Sequence, residues 1–139
     1  MRTLVVGYDG SECAGAALDE AAELAKALGD RIVIAFGYGP GGPGEEYIAT
    51  RDAVRRVGER VTAEGVERAR ADGVEVEVAL VEERPTEALL ELAERHDARA
   101  IVVGTYGEHP LRGTILGSTP HRLLHVSSRP VIVVPVPEA

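Results

Sequence analysis

Lysine and cysteine are almost absent from this 139-residue chain. Lys26 is the only lysine among 15 basic residues, and the 23 acidic residues leave a net charge of −8. Nucleic acids and anionic membranes both favour clustered lysine and arginine, so neither is an expected partner. A bound phosphate would have to be held locally, by backbone dipoles and a few arginines.

Long apolar runs are also missing. No stretch approaches the roughly 20 apolar residues of a membrane span, and the apolar part of the N-terminus is too short for a signal peptide. Cys13 is the only cysteine, which excludes an internal disulfide and fits a reducing compartment. The expected location is therefore the cytoplasm.

Short apolar runs alternate with amphipathic segments along the whole chain. The runs predict strands over 4–8, 31–36, 74–81, 100–103 and 130–134, and the amphipathic patterns predict helices over about 12–28, 45–71, 85–95 and 119–126. This alternation predicts one domain over 1–139, a doubly wound α/β fold with a five-stranded parallel sheet and helices on both faces. Ligands of such sheets bind beyond the carboxyl ends of the strands, at the topological switch point.

Two of the predicted helices carry an expected buried face. In the helix over 45–71, this face comprises Ile48, Val54, Val57, Val61, Val66 and Ala69. In the last helix it comprises Leu123, Leu124 and Val126. The alternating Val and Glu residues of the third strand indicate one wetter face, and hence a position near an edge of the sheet.

A glycine-rich loop follows the fourth predicted strand and leads into the last helix. Gly104 and Gly107 allow the backbone to approach a ligand and can adopt a positive φ. Gly117 and Ser118 open the helix, where free N–H groups and the helix dipole attract phosphate. The Ser118 hydroxyl could cap the helix or bond a phosphate oxygen. The loop is not a P-loop, because no lysine precedes Ser118.

The spacing Gly–x2–Gly–x9–Gly–Ser between the last two strands resembles the nucleotide-binding signature of the universal stress protein family. The start of the chain, Val5-Val6-Gly7-Tyr8-Asp9-Gly10-Ser11, and its end, Arg129-Pro130-Val131-Ile132-Val133-Val134-Pro135, also look like that family. The resemblance covers nearly the whole chain, and it implies the Rossmann-like sheet of the ATP-binding branch.

The resemblance also implies a role for each loop position. Triphosphate oxygens would contact the loop backbone and Ser118, and Mg²⁺ could accompany ATP; AMP and cyclic AMP are alternative ligands. The residues assigned to the nucleotide through the resemblance are Gly37, Val103, Gly104, Thr105, Tyr106, Gly107, Gly117, Ser118 and Thr119. Tyr106, Glu108 and His109 depart from the small, glycine-rich pattern of the family, which bears on affinity and on the choice of nucleotide.

Two charged residues have alternative interpretations. Asp9 could contact a ribose or a phosphate-bound metal, or its carboxylate could only satisfy a local Asx-turn; the resemblance favours the ribose. Arg112 is the nearest cation in the loop sequence for a bidentate contact with phosphate, and it could equally be a solvated loop charge.

Other reactive side chains are better explained without a ligand. His121 and His125 lie four residues apart, a spacing that could bind zinc, but the sequence supplies no clear third or fourth ligand, and a solvated or interface position is the better interpretation. Cys13 lies in the first turn of a predicted helix, and a small packing residue is the better interpretation.

Three classes of function remain. The leading one is a regulatory, stress-response protein that binds an adenine nucleotide. A slow ATPase is the second, with Asp9 or His109 as weak candidates for hydrolysis, because no general base or P-loop lysine supports efficient catalysis. The third is an interaction module without a nucleotide. The resemblance implies a homodimer through the final strand, over 130–136, whose open edge could pair with a second copy.

Overall fold

Every predicted strand and helix forms in the computed structural model, which describes residues 1–39, 44–105 and 116–136, apart from the side chains of 45–47. The elements are β1 (Thr3–Gly7), α1 (Glu12–Leu28), β2 (Arg31–Gly37), α2 (Glu45–Arg70), β3 (Val76–Val81), α3 (Pro85–Arg95), β4 (Ala100–Gly104), α4 (Ser118–Val126) and β5 (Val131–Val134). Observed boundaries differ from the predicted ones by one or two residues at most.

The five strands form one parallel sheet in the order β3-β2-β1-β4-β5. This confirms the predicted fold class and the edge position of β3. After β1 the chain moves outward through β2 to β3, then returns to the other side of β1 to add β4 and β5. The switch point therefore lies between β1 and β4.

Strand residues alternate between two cores, one on each face of the sheet. On one face, α1 and the end of α2 pack against β1 residues such as Leu4 and Val6. On the other, α3 and Leu123 of α4 pack against Val5 and Ile101. The side chains of the central strands are therefore covered on both sides, which explains their continuous apolar sequences.

The helix α1 begins and ends at the capping residues that the sequence predicts. Ser11 is the N-cap, and its hydroxyl accepts a hydrogen bond from the Ala14 N–H at 3.1 Å. Gly29 closes the helix in the left-handed region at φ 71°, where glycine is favoured.

The buried face of α2 differs from the prediction. Ile48, Val54 and Val57 are 47%, 39% and 44% exposed, so their assignment to a buried face is wrong; Val61 and Val66 are partly buried, and only Ala69 is fully buried. The residues that face the sheet are small ones at helical spacing, namely Gly58, Thr62, Gly65 and Ala69. These small residues let the helix axis lie close to the sheet, which leaves the larger valines at the sides.

The prediction for α4 is correct only for Leu123. Leu123 is fully buried, whereas Leu124 and Val126 are 52% and 51% exposed. The reason is position: α4 packs on α3 and on β5, the edge strand. No further element among the described residues covers its remaining side.

No helix in the described part of the chain is long and apolar enough to span a membrane.

Candidate functional site

The candidate site lies at the carboxyl edge of the sheet, around the switch point between β1 and β4. Asp9 and Gly10 follow β1 there, Thr105 follows β4, and Gly117 precedes α4. Parallel strands bring these segments to one edge although Asp9 and Thr105 are far apart along the chain.

The two ends of the glycine-rich loop meet directly. The Gly117 N–H donates to the Thr105 carbonyl at 2.6 Å, and the Thr105 N–H donates to the Val134 carbonyl of β5 at 3.2 Å. The start of α4 is thus held beside the end of β4. Tyr106, Gly107 and Arg112 lie outside the described residues, as do Glu108 and His109.

The N-terminus of α4 offers free donors at this edge. Gly117 is the N-cap and provides no side-chain cap, and Ser118 is the first helical residue. Of the two roles considered for the Ser118 hydroxyl, the helix cap is therefore not the one observed. Among the described residues, none accepts a hydrogen bond from the Ser118 or Thr119 amide, and the first turn contains no acidic side chain. Two backbone amides without a partner among the described residues and the positive end of a helix dipole therefore lie at this edge.

Asp9 forms the Asx-turn that was considered as the alternative to ligand binding. Its Oδ1 accepts a hydrogen bond from the Ser11 N–H at 2.9 Å, and the residue is half-buried. Its second carboxylate oxygen has no hydrogen-bond partner among the described residues. The turn fixes the side chain and leaves that oxygen able to accept another donor.

Gly104 owes its identity to packing in the fold. A Cβ built at Gly104 would lie 2.6 Å from the carbonyl oxygen of Cys13, a distance that real Cβ atoms do not tolerate. Its φ is not positive, unlike that of Gly10 at 84°. The first turn of α1 therefore packs directly on the end of β4, which is sufficient reason for a glycine there.

Gly37 and Val103 are also explained by packing. A Cβ at Gly37 would lie 2.8 Å from the Glu83 carbonyl oxygen, where the chain enters α3. Val103 is 4% exposed, and its side chain belongs to the core under α3. Contacts of either residue with a nucleotide remain predictions.

Two neighbours of the site were missed by the sequence interpretation. The Sγ of Cys13 lies 3.9 Å from the Thr105 Oγ1, which places the single thiol beside the base of the loop. Its position two residues after the Ser11 cap was the available signal.

Arg55 is the second. Its guanidinium lies 5.4 Å from the centre of the Tyr38 ring and donates a hydrogen bond to the Tyr38 hydroxyl. Tyr38 directly follows β2, so a cation stands near the carboxyl edge. No sequence pattern revealed this contact, because it depends on how α2 docks on the sheet.

The two carboxylates whose pKa values are shifted, Asp30 and Asp97, lie at the opposite, amino edge of the sheet. The Arg99 hydrogen bond lowers the pKa of Asp30, against the opposing effect of burial. Asp97 has its pKa lowered in the same way by Arg129. These pairs join the segments that precede β2, β4 and β5, and they serve the fold.

A groove of about 660 Å³ runs between the outer face of α1 and β5. It is lined by the apolar side chains of Ile132 and Val134 and by the charged side chains of Asp19, Glu23 and Arg68. It lies beside the open edge of the sheet and is separate from the candidate nucleotide site.

Comparison with known proteins agrees with this architecture. A model of the universal stress protein family matches residues 1–135. A universal stress protein of Thermus aquaticus is 32% identical, with 96% of this chain and 98% of the relative covered.

Solved structures give the same result. A universal stress protein in complex with cAMP superposes with a TM-score of 0.76 at 28% identity, covering 98% of each chain. One from Archaeoglobus fulgidus in complex with dAMP gives 0.74 at 26% identity, covering 96% of this chain and 98% of that one. The chain therefore belongs to the universal stress protein family.

Proposed function

We propose that this protein binds an adenine nucleotide at the carboxyl edge of β1 and β4, with ATP as the first candidate and AMP or cAMP as the alternatives, and that it acts as a regulatory protein in a stress response. The observation that carries the proposal is the uncapped N-terminus of α4, held against the end of β4 by the bond between Gly117 and Thr105. Related proteins in complex with cAMP and dAMP support it.

The phosphates would occupy the start of α4. The Ser118 and Thr119 amides lie at the N-terminal end of the helix, and no described residue caps them, which leaves them available to an anion. The net charge of −8 makes such local dipoles necessary, because the molecule as a whole repels phosphate. Contributions from Tyr106, Gly107 and Arg112 belong to this proposal as sequence-based expectations.

The ribose would contact Asp9. The Asx-turn occupies one carboxylate oxygen, and the other can accept a hydrogen bond from a sugar hydroxyl. Mg²⁺ would arrive with ATP on the phosphates, because this ion keeps several waters and needs few protein ligands. Among the described residues there is no group of three or more His, Cys, Asp or Glu side chains that could hold a metal ion.

Calorimetric titration of nucleotide-stripped protein with ATP–Mg²⁺, AMP and cAMP tests the proposal. We expect saturable binding of at least one nucleotide, and weaker binding in Gly117→Ala. Gly117 has φ −68° and ψ 170°, a conformation that alanine adopts freely. A loss of affinity in this variant would therefore report crowding at the site. If none of the three nucleotides binds, the proposal fails.

Asp9→Asn separates ligand contact from turn formation. The asparagine Oδ1 can keep the hydrogen bond from the Ser11 N–H, while an amide replaces the free oxygen. We expect weaker nucleotide binding with unchanged thermal stability. Asp9→Ala is the matched comparison, because it removes the turn as well. Equal affinity in wild type and Asp9→Asn would remove Asp9 from the site.

The proposed assembly is a homodimer through β5. This strand forms an edge of the sheet, and its four residues are half-buried. Leu124 and Val126 of α4, a helix that contacts β5, are exposed, and Ile132 and Val134 of β5 line the groove beside α1. A second copy that pairs with β5 would cover exposed backbone groups and apolar side chains together.

A further inference from the structure

His121 and His125 stand on the exposed side of α4, away from any role in the fold. Both residues are exposed, and no side chain or backbone group among the described residues forms a hydrogen bond with either imidazole. Residues four apart on a helix lie above one another on the same face. The two rings are therefore neighbours by construction and free to bind a ligand.

The distance between the two rings is compatible with a shared metal ion. The ring centroids are 4.9 Å apart, and the ring planes meet at 68°. Two imidazoles on one tetrahedral zinc, with Zn–N bonds of about 2.0–2.1 Å, would have centroids roughly 5.2 Å apart. The observed separation of the two centroids is close to that value.

The charges beside the pair do not oppose a cation. Arg122, the nearest cation in the helix, is paired with Glu87 of α3 at 2.7 Å, so its charge is partly neutralised. The chain carries a net charge of −8. Both histidines are held on a regular helix, so chelation orders little that is not already ordered.

We propose that His121 and His125 form a two-histidine site for a divalent transition metal of the zinc, nickel and copper class. Imidazole nitrogen suits these ions, whereas Mg²⁺ requires oxygen ligands. No third protein ligand stands with the pair in the described part of the chain. The open positions are filled by water or by a second copy of the chain.

Titration of untagged, nucleotide-free protein with Zn²⁺ at neutral pH, followed by calorimetry, tests this site, with Ni²⁺ as a second probe. We expect saturable binding that a large excess of Mg²⁺ does not displace. His121→Asn and His125→Asn should each weaken zinc binding by at least roughly 10- to 100-fold. This is the loss of metal affinity that usually follows removal of a hydrogen-bond partner of a metal ligand. One ion per chain would indicate water in the open positions, and one per two chains would indicate a shared site.

Two matched controls use the remaining histidines. His96→Asn should bind zinc like the wild type, because the Nδ1 of His96 is already engaged by Arg31 at 3.0 Å. His109→Asn should also retain binding. The proposal is overturned if wild type shows no saturable zinc binding, if His125→Asn binds as tightly as wild type, or if His109→Asn alone abolishes it. Circular dichroism of each variant verifies the fold.

The site is distinguishable from the proposed nucleotide site. Gly117→Ala should retain zinc binding, and His125→Asn should retain nucleotide binding, because the two ligands contact different residues.

Discussion

Gly104 and Gly117 belong to one glycine-rich signature, yet they are constrained for different reasons. Gly104 must lack a Cβ because the Cys13 carbonyl would lie 2.6 Å from it. Gly117 adopts an ordinary extended conformation at φ −68°. A motif that looks uniform in sequence thus combines a packing requirement with a candidate ligand contact.

Gly104→Ala should therefore destabilise the protein with or without a nucleotide. Forcing a methyl group against the α1 backbone costs about 1–3 kcal/mol, the usual range for overpacking. Urea unfolding of the nucleotide-free protein measures the difference. Gly117→Ala is the control and should unfold near the wild-type midpoint. Wild-type stability of Gly104→Ala would contradict the packing explanation.

Asp30 is the most buried carboxylate in the described part of the chain that forms an ion pair. Its side chain is 1% exposed and accepts hydrogen bonds from Arg99 at 2.5 and 3.1 Å. The Arg2 backbone N–H adds a third at 3.3 Å. These contacts join the starts of three strands, and the Arg99 hydrogen bond lowers the pKa of Asp30.

Asp30→Asn should lower the free energy of unfolding by about 1–3 kcal/mol at pH 7, the cost of removing a partner from a buried polar group. A carboxyl whose folded pKa lies below its unfolded value stabilises above the unfolded value, near pH 4. That contribution is lost as the pH falls through the folded pKa. Denaturation from pH 7 to pH 3 should show the wild type and the variant converging.

Asp97→Asn is the matched control for this series. Asp97 also has its pKa lowered by an arginine, Arg129, but its side chain is 85% exposed. Solvent screens such a pair, so we expect no measurable change in stability. An Asp97 effect as large as that of Asp30 would argue against burial as the source.

At the scale of the element, α2 packs against the sheet through a face of small side chains. A Cβ at Gly58 would lie 2.6 Å from the Phe36 ring, and one at Gly65 would lie 3.1 Å from the Tyr8 ring. Thr62 is 2% exposed and places its hydroxyl on the Gly58 carbonyl at 2.7 Å. The periodically spaced valines therefore lie at the sides of the face through which α2 packs on the sheet.

Gly58→Ala should destabilise the protein, although alanine is the better helix former. Helix propensity gains about 1 kcal/mol, whereas overpacking against Phe36 costs about 1–3 kcal/mol. We expect a net loss of up to about 2 kcal/mol in thermal or urea unfolding. A stabilised variant would mean that α2 can move away from the sheet without penalty.

A double-mutant cycle with Phe36→Leu isolates the contact. Leucine removes the ring edge that the new methyl group would meet, so Gly58→Ala should cost less in that background. Equal costs in both backgrounds would place the strain elsewhere.

At the scale of the whole molecule, the backbone of β5 determines how a second copy could pair. The Ile101 N–H donates to the Pro130 carbonyl, and the Thr105 N–H donates to the Val134 carbonyl. Carbonyls of even-numbered residues thus face β4. Because successive residues of a strand alternate in direction, the N–H groups of Val131 and Val133 point toward the open edge.

Val133→Pro should therefore convert the proposed dimer into a monomer while the ladder between β4 and β5 persists. Proline removes an N–H that faces outward, a position where edge strands tolerate it. Val133→Ala is the control: it shortens the same side chain but keeps the N–H, and it should remain dimeric. Sedimentation equilibrium at micromolar concentration measures the mass. A monomeric wild type would contradict the proposed assembly.

Most of the fold follows from local patterns. Continuous apolar runs and capping residues such as Ser11 and Gly29 located the strands and helices to within one or two residues. The errors concern which side of a helix is buried. Whether Val57 and Leu124 are exposed depends on which neighbouring elements pack on their helices. Apolar periodicity also cannot detect a docking face made of glycine, threonine and alanine.

The sequence likewise predicted some features of the candidate site, and only the structure revealed the others. Chain order alone predicted that Asp9, Gly37 and Gly104 lie at one edge of the sheet, because parallel strands with helical crossovers leave little choice of topology. The glycine-rich spacing and the family resemblance were likewise properties of the sequence. Contacts between distant segments, such as Cys13 with Thr105 or Arg55 with Tyr38, had no local signal.

The sequence by itself determined the order of the elements, because this order depends on short-range periodicity. It also determined their parallel pairing and the edge proposed for a ligand, because these depend on the handedness of βαβ connections. Only the tertiary structure decided which glycines are steric requirements, which valines stay exposed and which imidazoles are free. Those properties depend on distances of a few ångströms between segments far apart in the chain, where one Cβ or one ring decides whether two surfaces can meet.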